Sequence, residues 1–211
     1  ALALREQAAL LGKPFALLDE DELVCALSPA ARELGVTMGL PARQAQSFCP
    51  DLLFPPLNLA ESEAQQSAYL AEMARWQLPV EICDWGASWV DLHAHTANRT
   101  EVQKLAADLG GRLRRVLGTD LTPRLGWDSS KFVSRVAAHA VRAGAMRLVG
   151  KADEARFLPP QPVTLLPLPL PALQQLAWLG IDTLGAYAAL PATGVLQRWG
   201  KAGRIAQEWA R

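Results

Sequence analysis

Residues 80–93 read VEICDWGASWVDLH. VEICDWG and ASWVDLH are two strand-like runs, rich in β-branched and aromatic residues and broken near Gly86. Asp84 and Asp91 close both ends of the central DWGASWVDL. A strand edged with carboxylates suits a catalytic metal site, so the first question is whether this pair carries chemistry or has lost it.

Around it, helical and strand patterns alternate. PFALLD (14–19) and ELVCALS (22–28) flank the acidic cluster Asp19–Glu22 and read as a strand hairpin with a solvated turn. Ser28-Pro29 then opens a helix, because serine is a good N-cap and proline suits the first helical position; Gly35 stops it. A short helix is predicted over 42–48, and a strand in DLLFPP (51–56). Residues 60–76 are rich in helix formers. Residues 100–117 form an amphipathic helix with Val102, Leu105, Leu109, Leu113, Val116 and Leu117 on one face. LTPRLGWD (121–128) and MRLVG (146–150) read as strands, with a helix from Ser129 or Ser130 to about 143 between them. This is an α+β or mixed α/β pattern.

At 211 residues with half of them apolar, the chain is globular and long enough for a sizeable core. It begins at Ala1, as a piece of a longer protein would. No apolar run approaches the roughly 18 residues of a membrane span. Three scattered cysteines, Cys25, Cys49 and Cys83, suggest a reducing, cytoplasmic setting and form no zinc pattern. Net charge is zero but unevenly placed: residues 1–100 hold 6 basic against 13 acidic residues, and residues 101–211 hold 15 against 8. The basic half fits an anionic partner, or ordinary solvated helices.

RFLPPQPVTLLPLPLP (156–171) holds six of the fifteen prolines and reads as an extended connector, after which the pattern is all helical. LAWLGIDTLGAYAALP (176–191) and VLQRWGKAGRIAQEW (195–209) each read as helix, glycine turn, helix. Gly200 and Gly203 with Arg198, Lys201 and Arg204 fit a turn whose free amides and cations hold a nucleic-acid backbone. The other reading is a plain bundle whose glycines are C-caps. His93 and His95 share a strand face but lack a third metal ligand; His139 and the seven tryptophans read as packed residues.

Together these segments resemble one family. SPAARELGVTMGLPARQAQSFCPDLLFPP (28–56) resembles the fingers of Y-family (DinB/UmuC-type) DNA polymerases, and VEICDWGASWVDLH resembles their palm hairpin. LTPRLGWDSSKFVSRVAAHA (121–140) is similar to their following strand and helix, and the proline-rich link with LGIDTLGAYAALP (179–191) to their thumb. The resemblance implies fingers over 1–57 and a palm of mixed sheet with helices on one face over 58–155. It further implies a linker over 156–171 and a helix-hairpin-helix thumb over 172–211, with a little finger and C-terminal tail beyond.

By the same resemblance Arg32 and Arg142 fall where the family binds triphosphate, although the tyrosine that accompanies the first is replaced by Pro29. Lys131 and Arg135 match basic positions of the palm helix. Gly86 and Ala87 stand where the family has its Asp-Glu pair, and Asp91 matches a trailing aspartate that is not a metal ligand. Glycine and alanine supply no side-chain oxygen for two Mg²⁺ ions, so neither metal cofactor nor polymerase activity is expected. Trp85 is placed to fill the space used by metal and triphosphate in active relatives.

Wording such as SPAARELGVTMGLPARQAQSFCPDL, SWVDLHAHT and PVTLLPLPLPALQQLAWLGIDTLGAYAALPATGVLQRWG is similar to the ImuB branch. That branch implies an accessory factor of mutagenic, DNA-damage-induced (SOS) repair. Its partners would be the DNA backbone, held weakly and without sequence preference, a DnaE-type polymerase, the sliding clamp and a RecA-like protein. Two alternatives stay open: an active polymerase using Mg²⁺ on unusual ligands such as Asp84 and Asp91, and a protein scaffold without DNA binding.

Overall fold

The acidic turn and the serine cap predicted near the start of the chain both form in the computed structural model. It describes residues 8–56, 58–76, 78–84, 86–92, 98–118 and 122–211. Trp85, His93 and His95, and the expectations placed on them, lie outside these residues. Two compact units are present: Ala1–Gln77 with Asp84–Ala87 and Arg114–Leu121, and Leu78–Cys83 with Ser88–Leu113 and Thr122–Arg211.

In the first unit, strands β1 (Ala16–Leu18) and β2 (Val24–Leu27) pair antiparallel, with a bulge between Leu17 and Leu18. The turn between them is built rather than merely solvated. Asp19 Oδ1 accepts from the amides of Asp21 and Leu23 at 3.0 and 2.9 Å, which holds Glu22 at φ +58°. Helix α1 (Pro29–Glu33) follows, capped by Ser28 with Pro29 in its first turn, and Gly35 takes φ +89° just past its end. Helix α2 (Ala42–Phe48) matches the expectation for 42–48. Ala16, Val24, Ala31, Val36, Leu40, Ala45, Cys49 and Leu52 close a small core.

The strand expected over 51–56 is reduced to Leu53, which bridges Phe15 alone. Leu52 is still turning back onto Cys49, and Pro55 and Pro56 have no amide to extend a ladder. Helix α3 (Leu59–Arg75) is capped by Asn58 and buries Tyr69, Met73 and the carboxylate of Glu72, which Arg75 answers at 3.1 Å.

Ser28 does more than cap. Its buried Oγ accepts from Phe15 and Ala31 amides at 3.0 and 3.2 Å and donates to the Lys13 carbonyl at 3.2 Å. Ser28→Ala removes a cap and strands a buried amide, so we expect a loss of about 2 kcal/mol in urea unfolding. A change below a few tenths would mean that the strand–helix junction does not depend on it.

Strands β3 (Val80–Asp84) and β4 (Ala87–Val90) pair in a two-stranded ladder, and beyond it the Asp91 amide donates to the Pro79 carbonyl at 2.9 Å. Helix α4 (Arg99–Leu117) buries Val102, Gly110 and Leu113. Strands β5 (Leu125–Trp127) and β6 (Met146–Leu148) pair parallel, with Gly126 opposite Arg147. Helix α5 (Lys131–His139), capped by Ser130, connects them. It ends four residues sooner than the predicted 143, because Ala140 already serves as its C-cap and a turn at Arg142–Ala145 returns the chain to β6.

The fold is α+β as expected, but among the described residues the strands form three two-stranded ladders instead of one mixed sheet. Strands of three to five residues leave little ladder to share.

The expected extended connector is folded and packed. Helix α6 (Glu154–Phe157), a 3₁₀ turn at Val163–Leu165 and the start of helix α7 (Leu170–Trp178) occupy it. All six prolines are exposed, while Phe157, Leu158, Val163, Leu166 and Leu168 between them are buried. These side chains share one core with Phe132, Val133, Val136 and Ala137 of α5 and with Leu176, Leu184, Tyr187 and Val195 beyond. Helix α8 (Leu184–Ala188) and helix α9 (Ala192–Trp209) complete the chain.

The described tryptophans, expected inside, sit at the margins. Trp178 is 82% exposed and Trp209 45%, the latter stacked on Phe132 at 5.9 Å. Aliphatic side chains fill most of the interior, with Tyr69, Phe132, Phe157 and Tyr187 buried among them, and the described indole rings cover its edge.

Candidate nucleic-acid interface and the hairpin at Gly86

Gly86 lies in the β3–β4 turn at φ +66°, a conformation that suits glycine. Its amide donates to Gln66 Oε1 of α3 at 2.8 Å, and no atom stands within 4 Å of where a Cβ would be. Gly86 is therefore a turn residue and not part of a regular strand. Ala87 opens β4 half-buried. Neither offers a metal donor, and among the described residues no three of His, Cys, Asp and Glu gather to hold an ion. The described residues thus do not fit the Mg²⁺ pair that a polymerase hairpin implies.

On the same hairpin, Trp89 Nε1 donates to the Lys131 carbonyl at 3.1 Å, and Lys131 Nζ lies 5.3 Å from the Trp89 ring centroid. Lys131 also pairs with Glu81 on β3. This palm-helix cation is engaged by a carboxylate and a ring, although both partners of the ion pair are more than half exposed and little stability follows from it.

Arg32 is exposed on α1 in the first unit; Arg142 is exposed in the turn after α5 in the second. His139 stands at the C-terminal end of α5 near two arginines. Partial burial first, then Arg135 one turn back on α5 and Arg124 before β5, hold its pKa below the ordinary histidine range. His139 is a helix-surface residue, not the packed one expected.

In α9 the glycine turn is a kink at one residue. Gly200 takes φ +65° and ψ −159° within an otherwise helical run. Arg198 and Lys201 flank it, both exposed, and no carboxylate pairs with either among the described residues. Arg204 differs: its guanidinium turns to Gln207 and to Glu208 at 3.4 Å. Gly203 is buried, its carbonyl accepts from Tyr187 Oη at 3.0 Å, and a Cβ there would stand 2.6 Å from Trp199 Cβ. Gly203 is thus required for packing. Arg198, Gly200, Lys201, Gly203 and Arg204 lie around one kink, and of the three cations Arg198 and Lys201 have no carboxylate partner among the described residues.

Residues 1–139 match the impB/mucB/samB family. The chain belongs to that family. Membership places it in the Y-family polymerase superfamily. DNA polymerase IV of Dehalococcoides mccartyi (strain CBDB1) is 25% identical over 190 residues, 90% of this chain and 47% of that protein. DNA polymerase IV 2 of Mesorhizobium japonicum is 28% identical over 181 residues, covering 85% and 43%. The impB/mucB/samB chain here spans about half the length of these relatives. Among solved structures, DinB from Sulfolobus solfataricus superposes with TM-score 0.75 at 17% identity, over 99% of this chain and 62% of that one. The insertion ternary complex of Dbh DNA polymerase gives 0.70 at 16%, over 99% and 62%. At these identities the structures speak for the fold.

Proposed function

We propose that this family member is an ImuB-like accessory factor of mutagenic DNA repair, a polymerase fold without polymerase chemistry. One observation carries the reading: Gly86 and Ala87 stand in the β3–β4 hairpin without an oxygen ligand between them. On this reading Arg32 and Arg142 are remnants of triphosphate binding. Fingers occupy 1–57, a palm 58–155 and a helix-hairpin-helix thumb 172–211. DNA binds weakly through its backbone, with Arg198 and Lys201 as the principal cations and the Gly200 kink bringing them together. The partners are a DnaE-type polymerase, the sliding clamp and a RecA-like protein, and free Cys25, Cys49 and Cys83 suit a reducing cytoplasm.

Primer extension by the full-length protein with Mg²⁺ and all four nucleotides tests this. We expect no templated incorporation. Incorporation abolished by Asp84→Asn or Asp91→Asn would establish the second reading, an active polymerase, which the relatives named DNA polymerase IV favour.

The DNA half has its own readout. Affinity should fall with salt at a slope near −2, about 0.9 per neutralised phosphate on duplex DNA, and Arg198→Ala should reduce that slope by about 1. No affinity at low salt would leave a protein scaffold.

A further inference from the structure

A groove of about 330 Å³ runs between the start of α7 and the Gly200 kink. Leu168, Pro169, Pro171 and Ala172 form one wall, Trp199 and Ala202 the other, with Gln175 and Arg198 at the edges. Its size is at the low end of ligand pockets, about 300–1,000 Å³. We propose that this groove docks an amphipathic helix of a partner protein, aliphatic on one face and acidic at its flank. This refines the partner-binding part of the function proposed above and rests on it.

Charge selects the acidic flank. No carboxylate lines the groove, and Arg198, which does, stands exposed without an acidic partner among the described residues. The walls select a helix over a strand. Pro169 and Pro171 have no amide to donate, so an added strand would find few main-chain partners, whereas a helix satisfies its own.

The walls also disfavour a nucleobase. They are saturated apart from Trp199, and Arg198 lies 5.7 Å from that ring on one side while Tyr187 packs against it at 5.8 Å. Beyond Gln175, one turn along α7, the 82% exposed Trp178 offers further apolar surface.

A randomised 16-residue displayed peptide library, selected on the 211-residue chain, tests the proposal. Counter-selection uses Ala202→Trp, which fills the groove from an exposed position, and Pro171→Glu, which adds an acid in the first turn of α7, where helices accept one. Both variants should keep the wild-type circular dichroism and thermal midpoint. Enriched sequences should place aliphatic residues at i, i+3 or i+4 and i+7 beside Asp or Glu. A synthetic binder should lose at least tenfold in affinity on either variant.

The proposal is overturned if no sequence is enriched over the variants, if enriched peptides are basic, or if a single-stranded oligonucleotide competes for the groove and is lost with Ala202→Trp. Primer extension and salt-dependent DNA binding do not enter this readout, so failure here is separable from failure of polymerase silence.

Discussion

Gly126→Ala should be the most damaging single methyl in the chain. A Cβ at this position of β5 would stand 2.0 Å from the Ser134 carbonyl oxygen and 2.4 Å from the Ala138 amide nitrogen. Both are backbone atoms of α5, so no rotamer change relieves the clash; the helix must lift off the strand. Phe132, Val133, Val136 and Ala137 would lift with it, and they are part of the larger core. Overpacking against side chains costs about 1–3 kcal/mol; against backbone we expect about 3 kcal/mol or more, a large share of a domain's 5–15. Gly111→Ala is the control. It lies inside α4 with nothing within 4 Å, and should stabilise by up to about 1 kcal/mol. Equal urea midpoints for Gly126→Ala and the wild type would refute the close β5–α5 approach.

Gln207→Leu should follow closely. This side chain is fully buried in α9, and its amide donates to the carbonyls of Leu190, Ala188 and Tyr187 at 2.6, 3.3 and 3.4 Å. Those carbonyls end α8 and begin the next connection, where helical partners run out. Its Oε1 accepts from Arg204. Leucine keeps the volume and removes every bond, leaving buried acceptors and a half-buried guanidinium short of a partner. At about 1–3 kcal/mol for an unsatisfied buried group, we expect a loss of about 2–4 kcal/mol. Gln207→Glu should not rescue it, because a carboxylate would face carbonyl oxygens. A leucine variant as stable as the wild type would show that these carbonyls do not need the amide.

The contrast between these two residues and Ser28 marks how far reading the chain reaches. Ser28-Pro29, Asn58 and Ser130 act on amides within three residues, so a short window carries their meaning. The hairpin at 80–90 was equally legible: a run, a break at glycine and a second run form a ladder with near neighbours. Gln207 reads as an ordinary polar position on a helix, and nothing nearby announces that it closes a helix seventeen or more residues earlier. The candidate site divides in the same way. The missing oxygens at Gly86 and Ala87 are a matter of residue type. That Arg204 meets Gln207 and Glu208 while Arg198 has no carboxylate partner among the described residues depends on which side chains stand across from each.

By itself the sequence determined most of the helices with their serine and asparagine caps, the glycine positions that turn the chain, and that residues 86 and 87 bring no side-chain oxygen to the hairpin. These follow from short-range bonding and from composition. Only tertiary structure decided that the prolines of 156–171 face out while the aliphatic residues between them enter a core. The same holds for the tryptophans at its margin and for the groove between α7 and α9. Burial is a property of what lies across the space from a residue, and residues distant along the chain supply it.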